Sequence, residues 1–285
     1  MLAWFPLAVL SAAGFGVSAF FMKLATLRSP QGRVFILMGL SVSATLIFTT
    51  YGLIQGVLEF SAALVALGVV MGLGTLLGNS CWVNAVAVGP ASLTQALANT
   101  NTLLVVAMSL IFFNERLTVV EVAGVLVVFV AAALLAVDPN ESISITDRRW
   151  YPLIVGTVLL LFFRVGGLKL ADEFNLSSTT ALALTYGVGI VWFGAAIGRG
   201  IRDPNPPGAW GGFALAAIAA IFSFIGLQSY AFALVEGPAS IVTPIFAANA
   251  LVLTVLTVTI LRERLSTLQT IALLGIVGGL ILLRL

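Results

Sequence analysis

The chain has 285 residues, of which 60% are hydrophobic and only 8% are charged, whereas soluble globular domains carry about 25% charged residues. A net charge of +2 argues against a basic nucleic-acid-binding surface. One cysteine and no histidine exclude an intramolecular disulfide, a Cys/His metal site and Cys/His or Ser/His catalysis. We therefore expect an integral membrane protein that is not an enzyme and needs no metal or cofactor.

Apolar stretches of about 20 residues, long enough to cross a hydrocarbon core of about 30 Å as helices, follow one another along the chain. The first lacks a basic leading segment and a small-residue cleavage site, so we interpret it as a span and not as a signal peptide. We predict an all-α membrane protein with ten transmembrane helices in two five-helix units, residues 1–137 and 150–285, joined by a loop at 138–149. Polar breaks separate the spans at 28–33, 55–61, 88–90, 114–118, 138–150, 170–178, 198–210, 236–238 and 262–266.

The two units repeat one sequence pattern. A segment that starts with Gly-Pro-Ala-Ser and ends with Glu-Arg-Leu occurs at 89–117 and again at 237–265, at an offset of 148 residues without an insertion. The first helix of each unit also matches, at an offset of 146, through Lys-Leu-Ala at 23–25 and at 169–171. The repeat therefore covers nearly the whole chain.

The odd number of spans in each unit predicts the topology. The second unit must enter the membrane from the opposite face, which gives inverted-topology repeats of the kind found in many secondary transporters. Basic residues concentrate on the cytoplasmic side of membrane proteins, and their distribution here puts both chain termini on the other side. The larger basic set comprises Arg28, Arg33, Arg148, Arg149, Arg199, Arg202, Arg262 and Arg264, and the smaller set comprises Arg116, Lys169 and Arg284.

The paired pattern resembles the EamA-type unit of the drug/metabolite transporter superfamily. Each copy has a short connection ending in Gly-Pro, a long fourth helix, an acidic-basic pair before Leu-[Ser/Thr], and a final glycine-bearing helix, at 89–118 and 237–266. The resemblance extends over all ten spans and implies a ten-helix carrier with a central cavity that works by alternating access. The first span lacks the membrane-embedded glutamate that small multidrug resistance proteins of this superfamily use, which argues against a multidrug-cation transporter.

Arg164 is the foremost candidate for binding a substrate. It follows Trp150 by about 14 residues, so it lies about 21 Å along the sixth helix, somewhat past the midplane. An arginine at that depth is costly unless it faces a cavity or a partner, and a guanidinium there can bind a carboxylate or phosphate bidentately. Alternatively, Arg164 extends towards Lys169 and Asp172 at the surface or bonds backbone carbonyls of a neighbouring helix.

Polar side chains form one face of the fourth span. Gln95, Asn99 and Thr102 follow at i, i+4 and i+7, with Asn101 beside them, and Asn249 is the matched amide of the ninth span. Such amides either bond a neighbouring helix or face the substrate, and we include all five among the candidate binding residues.

Aromatic and amide side chains also occur together in the third and eighth spans. Asn79 and Trp82 lie in the third span and Gln228 and Tyr230 in the eighth, and Trp82 matches Tyr230 at the 148-residue offset. Aromatic rings beside amides can hold an organic ligand by stacking and hydrogen bonding. The alternative is interfacial anchoring or packing.

Three residues are candidates for gating. Pro244 lies inside the ninth span where the first unit has Ala96, and a proline there predicts a kink in only one copy. Lys23 and Lys169 close the first and sixth spans at opposite membrane surfaces. By contrast, we interpret the Glu-Arg pair at 115–116, repeated at 263–264, as solvated, structural helix-end charges.

The chain as a whole is predicted to be a secondary transporter of the inner membrane of a bacterial-type cell. Acidic residues fall at span ends, so the cavity should be positive and should favour a small anionic or zwitterionic organic metabolite, moved by exchange, facilitated diffusion or export. The alternative is an exporter of drugs or of hydrophobic and aromatic amino acids with an aromatic cavity. The expected partners are the substrate and membrane lipid, with no nucleic acid, and the protein is a monomer or homodimer.

Overall fold

The computed structural model describes residues 4–29, 31–137, 145, 147–199, 207–262 and 264–284, and its ordered elements are all helices. The sequence predictions for Arg202, for Glu263 and for most of the loop at 138–149 concern residues outside this described part. In the first half of the chain the helices are α1 (Trp4–Arg28), α2 (Arg33–Gln55), α3 (Ala62–Val88), α4 (Ala91–Ala98), α5 (Asn101–Phe112) and α6 (Val119–Ala136). In the second half they are α7 (Trp150–Glu173), α8 (Ser178–Gly198), α9 (Ala209–Glu236), α10 (Ala239–Ala247), α11 (Asn249–Leu261) and α12 (Thr267–Leu282).

These helices have the length and composition of membrane spans. In the described part of the chain, nine spans are long and apolar enough to cross a membrane when α4–α5 and α10–α11 are each counted once, and α12 is a shorter apolar helix. Large apolar side chains lie on the outside of the bundle, with Val119 87% exposed and Ile54 76% exposed, as expected of a lipid-facing surface. The prediction of an all-α membrane protein is confirmed.

Polar residues define where the helices begin. Thr118 and Glu121 form a reciprocal capping box at the start of α6, and Ser266 and Gln269 form the matching one at the start of α12. Each box satisfies two backbone N–H groups that an α-helix leaves unpaired. The Leu-[Ser/Thr] that follows each Glu-Arg pair is therefore the start signal of the last helix in each unit.

The fourth and ninth spans are each broken into two helices at matched positions. The first break falls at Asn99 and Thr100, between α4 and α5, and the second at Ala248, between α10 and α11. Pro244 lies inside α10, which continues to Ala247. The expectation of a kink in only one copy is wrong, because the first unit breaks at the same place without a proline.

At both breaks, side chains donate hydrogen bonds to backbone carbonyls. In the first unit the hydroxyls of Thr100 and Thr102 donate to the carbonyls of Leu97 and Asn99, at 2.6 and 2.7 Å. In the second unit the amide of Asn249 donates to a backbone carbonyl of α10 at 2.7 Å. Short polar side chains compete with helical hydrogen bonding in this way, so side chains of this kind are common to both interruptions, whereas the proline is present at only one.

The two units pack against each other along their whole length. The most extensive helix pairs are α1 with α9, α3 with α7, α6 with α12, and α2 with α8 and α9. Glycines permit the close approach: a Cβ on Gly14 of α1 would lie 2.8 Å from the backbone nitrogen of Gly226 of α9. Close backbone contact is a main source of helix association in lipid, so Gly14 and Gly226 are packing residues.

Candidate substrate site

Arg164 lies inside the bundle on α7. Its guanidinium carbon is 5.3 Å from the centre of the Phe15 ring on α1, and Tyr186 on α8 lies within electrostatic reach. Its Nε is buried and has no hydrogen-bond partner, and no carboxylate of the described residues forms an ion pair with it. Buried donors are almost always paired in folded proteins, so this N–H is available to a ligand.

An aromatic cluster adjoins the guanidinium. The Phe15 ring centre lies 5.0 Å from that of Phe246 on α10, which in turn lies 4.8 Å from that of Tyr230 on α9. The hydroxyls of Tyr230 and Thr243 are 2.8 Å apart. We call Phe15, Phe246 and Tyr230 the aromatic cluster. Arg164 and the aromatic cluster together place one cation and three rings, from four helices, next to one another.

Two of the predicted binding residues in this region already have protein partners. Gln228 accepts a hydrogen bond of 3.2 Å from the hydroxyl of Thr179, and Tyr230 is bonded to Thr243. Both Gln228 and Tyr230 are buried. The hydroxyl of Tyr230 is therefore already used by Thr243, and the hydrogen bond of Gln228 links α9 to α8.

The predicted polar face of the fourth span is largely satisfied within its own segment. The Gln95 amide donates to the side-chain oxygen of Asn99 at 3.0 Å, and Thr102 bonds the Asn99 carbonyl. Asn101 is buried at the first turn of α5, and Asn249 bonds the carbonyl of Phe246. None of the hydrogen bonds of the described residues joins this face to Arg164, so its role in binding stays a prediction.

Trp82 lies at a different level of the bundle from Arg164. Helix α3 runs beside α7, with Gly89 against Trp150 at one end and Met71 against Gly167 at the other. Trp82 therefore lies towards the Trp150 end, and Arg164 lies towards the opposite end. The Trp82 indole N–H is buried without a partner, and its ring packs in the cluster around Trp150. Asn79, one turn earlier on the same helix, is partly buried. The structure does not bring these two residues to the arginine.

The candidate gate residues differ in their surroundings. Lys169 is only 5% exposed and pairs with Glu115 at 3.3 Å, with Asp172 at 3.8 Å and with Glu173 at 2.6 Å. Lys23, its counterpart, is partly buried. The interpretation of Glu115 as a solvated charge is wrong, since its side chain is 11% exposed and contacts the second unit, whereas its neighbour Arg116 is exposed.

Sequence reasoning did not identify Glu115, Phe15 or Phe246 as site residues. For Glu115 a signal was present: the same acid recurs at 263 in the same relation to the Gly-Pro that opens the fourth and ninth spans. For the two phenylalanines there was none, because the chain has 19 phenylalanines and only the contacts of Phe15 with Arg164 and Phe246 separate these from the rest.

Comparison with known proteins agrees with this architecture. The sequence profile of the EamA-like transporter family matches the chain twice, over residues 2–137 and 149–285. The chain belongs to the EamA-like transporter family. This EamA-like protein is therefore a multi-pass membrane transporter of the drug/metabolite transporter superfamily and not an enzyme, as the repeated motifs indicated.

Solved structures agree at the level of the fold. One crystal structure aligns with the EamA-like protein with a TM-score of 0.77 at 18% identity, covering 96% of this chain and 94% of the other. No curated protein matches the sequence.

Proposed function

We propose that this EamA-like transporter moves a small anionic or zwitterionic organic metabolite across a bacterial-type inner membrane. The observation that carries the proposal is the buried, unpartnered Nε of Arg164 inside the bundle. A guanidinium offers donors in a planar fork that fits a carboxylate or phosphate group. An anion bound there would remove the cost of an unpaired donor, which is a larger gain than a neutral ligand could supply.

The distribution of acids supports a positive site. The described acids nearest along the sixth span are Asp172 and Glu173, and both pair with Lys169 at the end of α7 instead of with Arg164. Glu115 joins the same lysine. Because no carboxylate of the described residues pairs with Arg164, its guanidinium would give the site a positive field that attracts anions and repels organic cations.

The broken spans support transport by alternating access. Secondary transporters commonly bind their substrates where paired spans are discontinuous near the midplane. Here the interruptions occur at matched positions in the two units, and Phe246 of the aromatic cluster lies immediately before the second one. We propose that the units are inverted repeats with both termini outside the cytoplasm. Lys23 and Lys169 would then lie at opposite gates.

A second candidate function rests on the aromatic cluster. If Arg164 only packs on Phe15, the rings of Phe15, Phe246 and Tyr230 would hold a neutral aromatic compound or a hydrophobic amino acid for export. The ring distances of 4.8 to 5.0 Å are those of packed aromatic pairs. This candidate predicts a ligand preference that does not depend on the charge of residue 164.

Thermal stabilisation of the purified protein by a panel of small carboxylates, phosphorylated metabolites, amino acids and organic cations tests the proposal. A ligand that binds only the folded state raises the unfolding temperature. We expect an anion or zwitterion to stabilise the wild type and to lose this effect in Arg164→Gln.

Arg284→Gln is the matched control. Arg284 also lies over a phenylalanine ring, with its guanidinium carbon 5.4 Å from the centre of Phe5, but it is exposed. This variant removes the same charge and the same type of contact at the periphery, so it should keep the ligand response. Equal stabilisation of the wild type and both variants by neutral aromatic compounds would instead support the second candidate.

A further inference from the structure

Glu115 joins the first unit to the start of a half-helix of the second. Its two carboxylate oxygens accept hydrogen bonds from the backbone N–H groups of Ala239, at 3.0 Å, and of Ser240, at 2.8 Å. These are the first two residues of α10, whose N-terminal N–H groups have no partner within the helix. No side chain of the residue before the helix caps it, because that residue is Pro238. The carboxylate from the other unit takes that place and also meets the positive end of the helix dipole.

Lys169 extends this contact to a third helix. Its ammonium group lies 3.3 Å from the Glu115 carboxylate and 5.4 Å from the centre of the Phe113 ring. Phe113 and Glu115 follow α5, and Lys169 is near the end of α7. One buried carboxylate therefore holds the ends of α5 and α7 and the beginning of α10 together.

The described residues of the other half show no matching contact. At the Glu115 end α10 packs against α5, but the repeat-related helices α4 and α11 form no comparable contact within the described residues. Sequence repeats of this kind predict equivalent contacts in the two halves. A contact between only one of the two helix pairs is what a bundle closed at one end would show.

We propose that Glu115 is a positioning residue of the transport cycle, whose carboxylate latches α10 to α5 and α7 and so closes one end of the pathway. Opening that end requires the carboxylate to leave the two N–H groups of α10. The inference rests on the alternating access proposed above, but it does not depend on the identity of the substrate or on Arg164.

The accessibility of a thiol beneath the latch tests this. Ser240 is fully buried and its hydroxyl has no hydrogen-bond partner, so Ser240→Cys removes no side-chain hydrogen bond and keeps the backbone N–H. The single native cysteine is replaced in all variants, as Cys81→Ser, so that only the introduced thiol can react. The labelling rate by a membrane-impermeant maleimide is then measured in lipid nanodiscs, without any substrate, in the latch variants and in the parent.

We expect Glu115→Gln to label about tenfold faster than the parent, because a hydrogen bond to a charged group contributes more than one to a neutral group and a tenfold change corresponds to about 1.4 kcal/mol. Glu173→Gln is the matched control, since Glu173 contacts the same lysine but not α10. It should label within about twofold of the parent. Glu115→Asp, which keeps the charge on a shorter side chain, should give an intermediate rate.

Equal labelling of the folded Glu115→Gln protein and its parent would overturn the latch, as would equal acceleration in the Glu173→Gln control. If Glu115→Gln does not fold, the Glu115→Asp rate decides, and a rate equal to the parent's would overturn the proposal. Because no substrate is present, this failure would leave the anion-binding proposal standing. Conversely, a finding that Arg164 does not distinguish charged from uncharged ligands would leave the labelling rates of the Glu115 variants unaffected.

Discussion

Arg164 and Phe15 form a cation–π pair between the two repeat units, with 5.3 Å between the guanidinium carbon and the ring centre. The pair lies inside the bundle, on α7 and α1, and the ring also contacts Phe246. A ring contact of this kind leaves the N–H donors of the guanidinium unused. We expect Phe15 to restrict the motion of the guanidinium, so that a ligand meets a charged group with little freedom left to lose.

Removing the Phe15 ring should weaken anion binding while the charge remains. In Phe15→Leu the guanidinium gains rotational freedom, and ordering a long side chain on binding costs about 0.5–1.5 kcal/mol. We expect ligand affinity to fall by about two- to tenfold, measured by titration calorimetry with an anion that stabilises the wild type. Phe5→Leu, at the peripheral pair with Arg284, should leave affinity unchanged. Tighter anion binding by Phe15→Leu would contradict this reasoning.

Loss of the Lys169 charge should destabilise the protein strongly. Lys169→Met leaves Glu115, Asp172 and Glu173 close together without a cation, and breaking a buried ion pair from one side costs about 3–5 kcal/mol. Thermal unfolding in detergent should show a large decrease in midpoint. Glu173→Gln, which removes one acid from a cluster with three, should change the midpoint little. Similar midpoints for the two variants would show that Lys169 is solvated.

The hydrogen bond between Tyr230 and Thr243 should contribute to stability. Tyr230→Phe leaves the buried Thr243 hydroxyl without this partner, at a cost of about 1 kcal/mol. Adding Thr243→Val should recover part of the loss, because the orphaned hydroxyl is then removed as well. Tyr51→Phe is the control, since Tyr51 makes a ring contact with Phe224. Additive losses in the double variant, measured by thermal unfolding, would argue against the bond.

Glycine at the crossing of α1 and α9 should be required for packing. A Cβ at Gly14 would lie within 3.1 Å of backbone atoms of Gly226 and Phe222, so Gly14→Ala should cost about 1–3 kcal/mol. Gly278 on α12 has open space around a Cβ. Gly278→Ala should therefore be neutral or stabilising by about 0.5–1 kcal/mol. Thermal midpoints of the two variants, compared side by side, check the contrast, and equal effects would contradict it.

Most of the fold follows from the sequence because span length and repetition are local properties. The polar breaks gave the ends of the spans, and the 148-residue offset matched the two Glu-Arg pairs. The interruption of the fourth span was missed, since the segment that forms α4 and α5 is long and apolar enough for one continuous helix. It depends on hydroxyls of Thr100 and Thr102 turning back to local carbonyls, and the same side chains can also face a neighbouring helix.

The site was less accessible to sequence reasoning because it forms between distant segments. Depth along the sixth helix was enough to single out Arg164, but not to pair it with Phe15. Glu115 was interpreted as solvated because helix-end acids usually are. Its burial depends on α10 beginning beside it, 124 residues further along the chain, and the recurrence of the acid at position 263 indicates a shared role but not this contact.

Recognition of the substrate's negative charge by Arg164 is tested most directly by counterflow in proteoliposomes. Each carboxylate or phosphate of the panel is compared with its uncharged amide or ester. We predict that the wild type and Arg284→Gln transport the charged compound at least about tenfold better, and that Arg164→Gln loses this discrimination. Undiminished discrimination in Arg164→Gln, or wild-type transport that is equal for the charged and uncharged compounds, would contradict the claim.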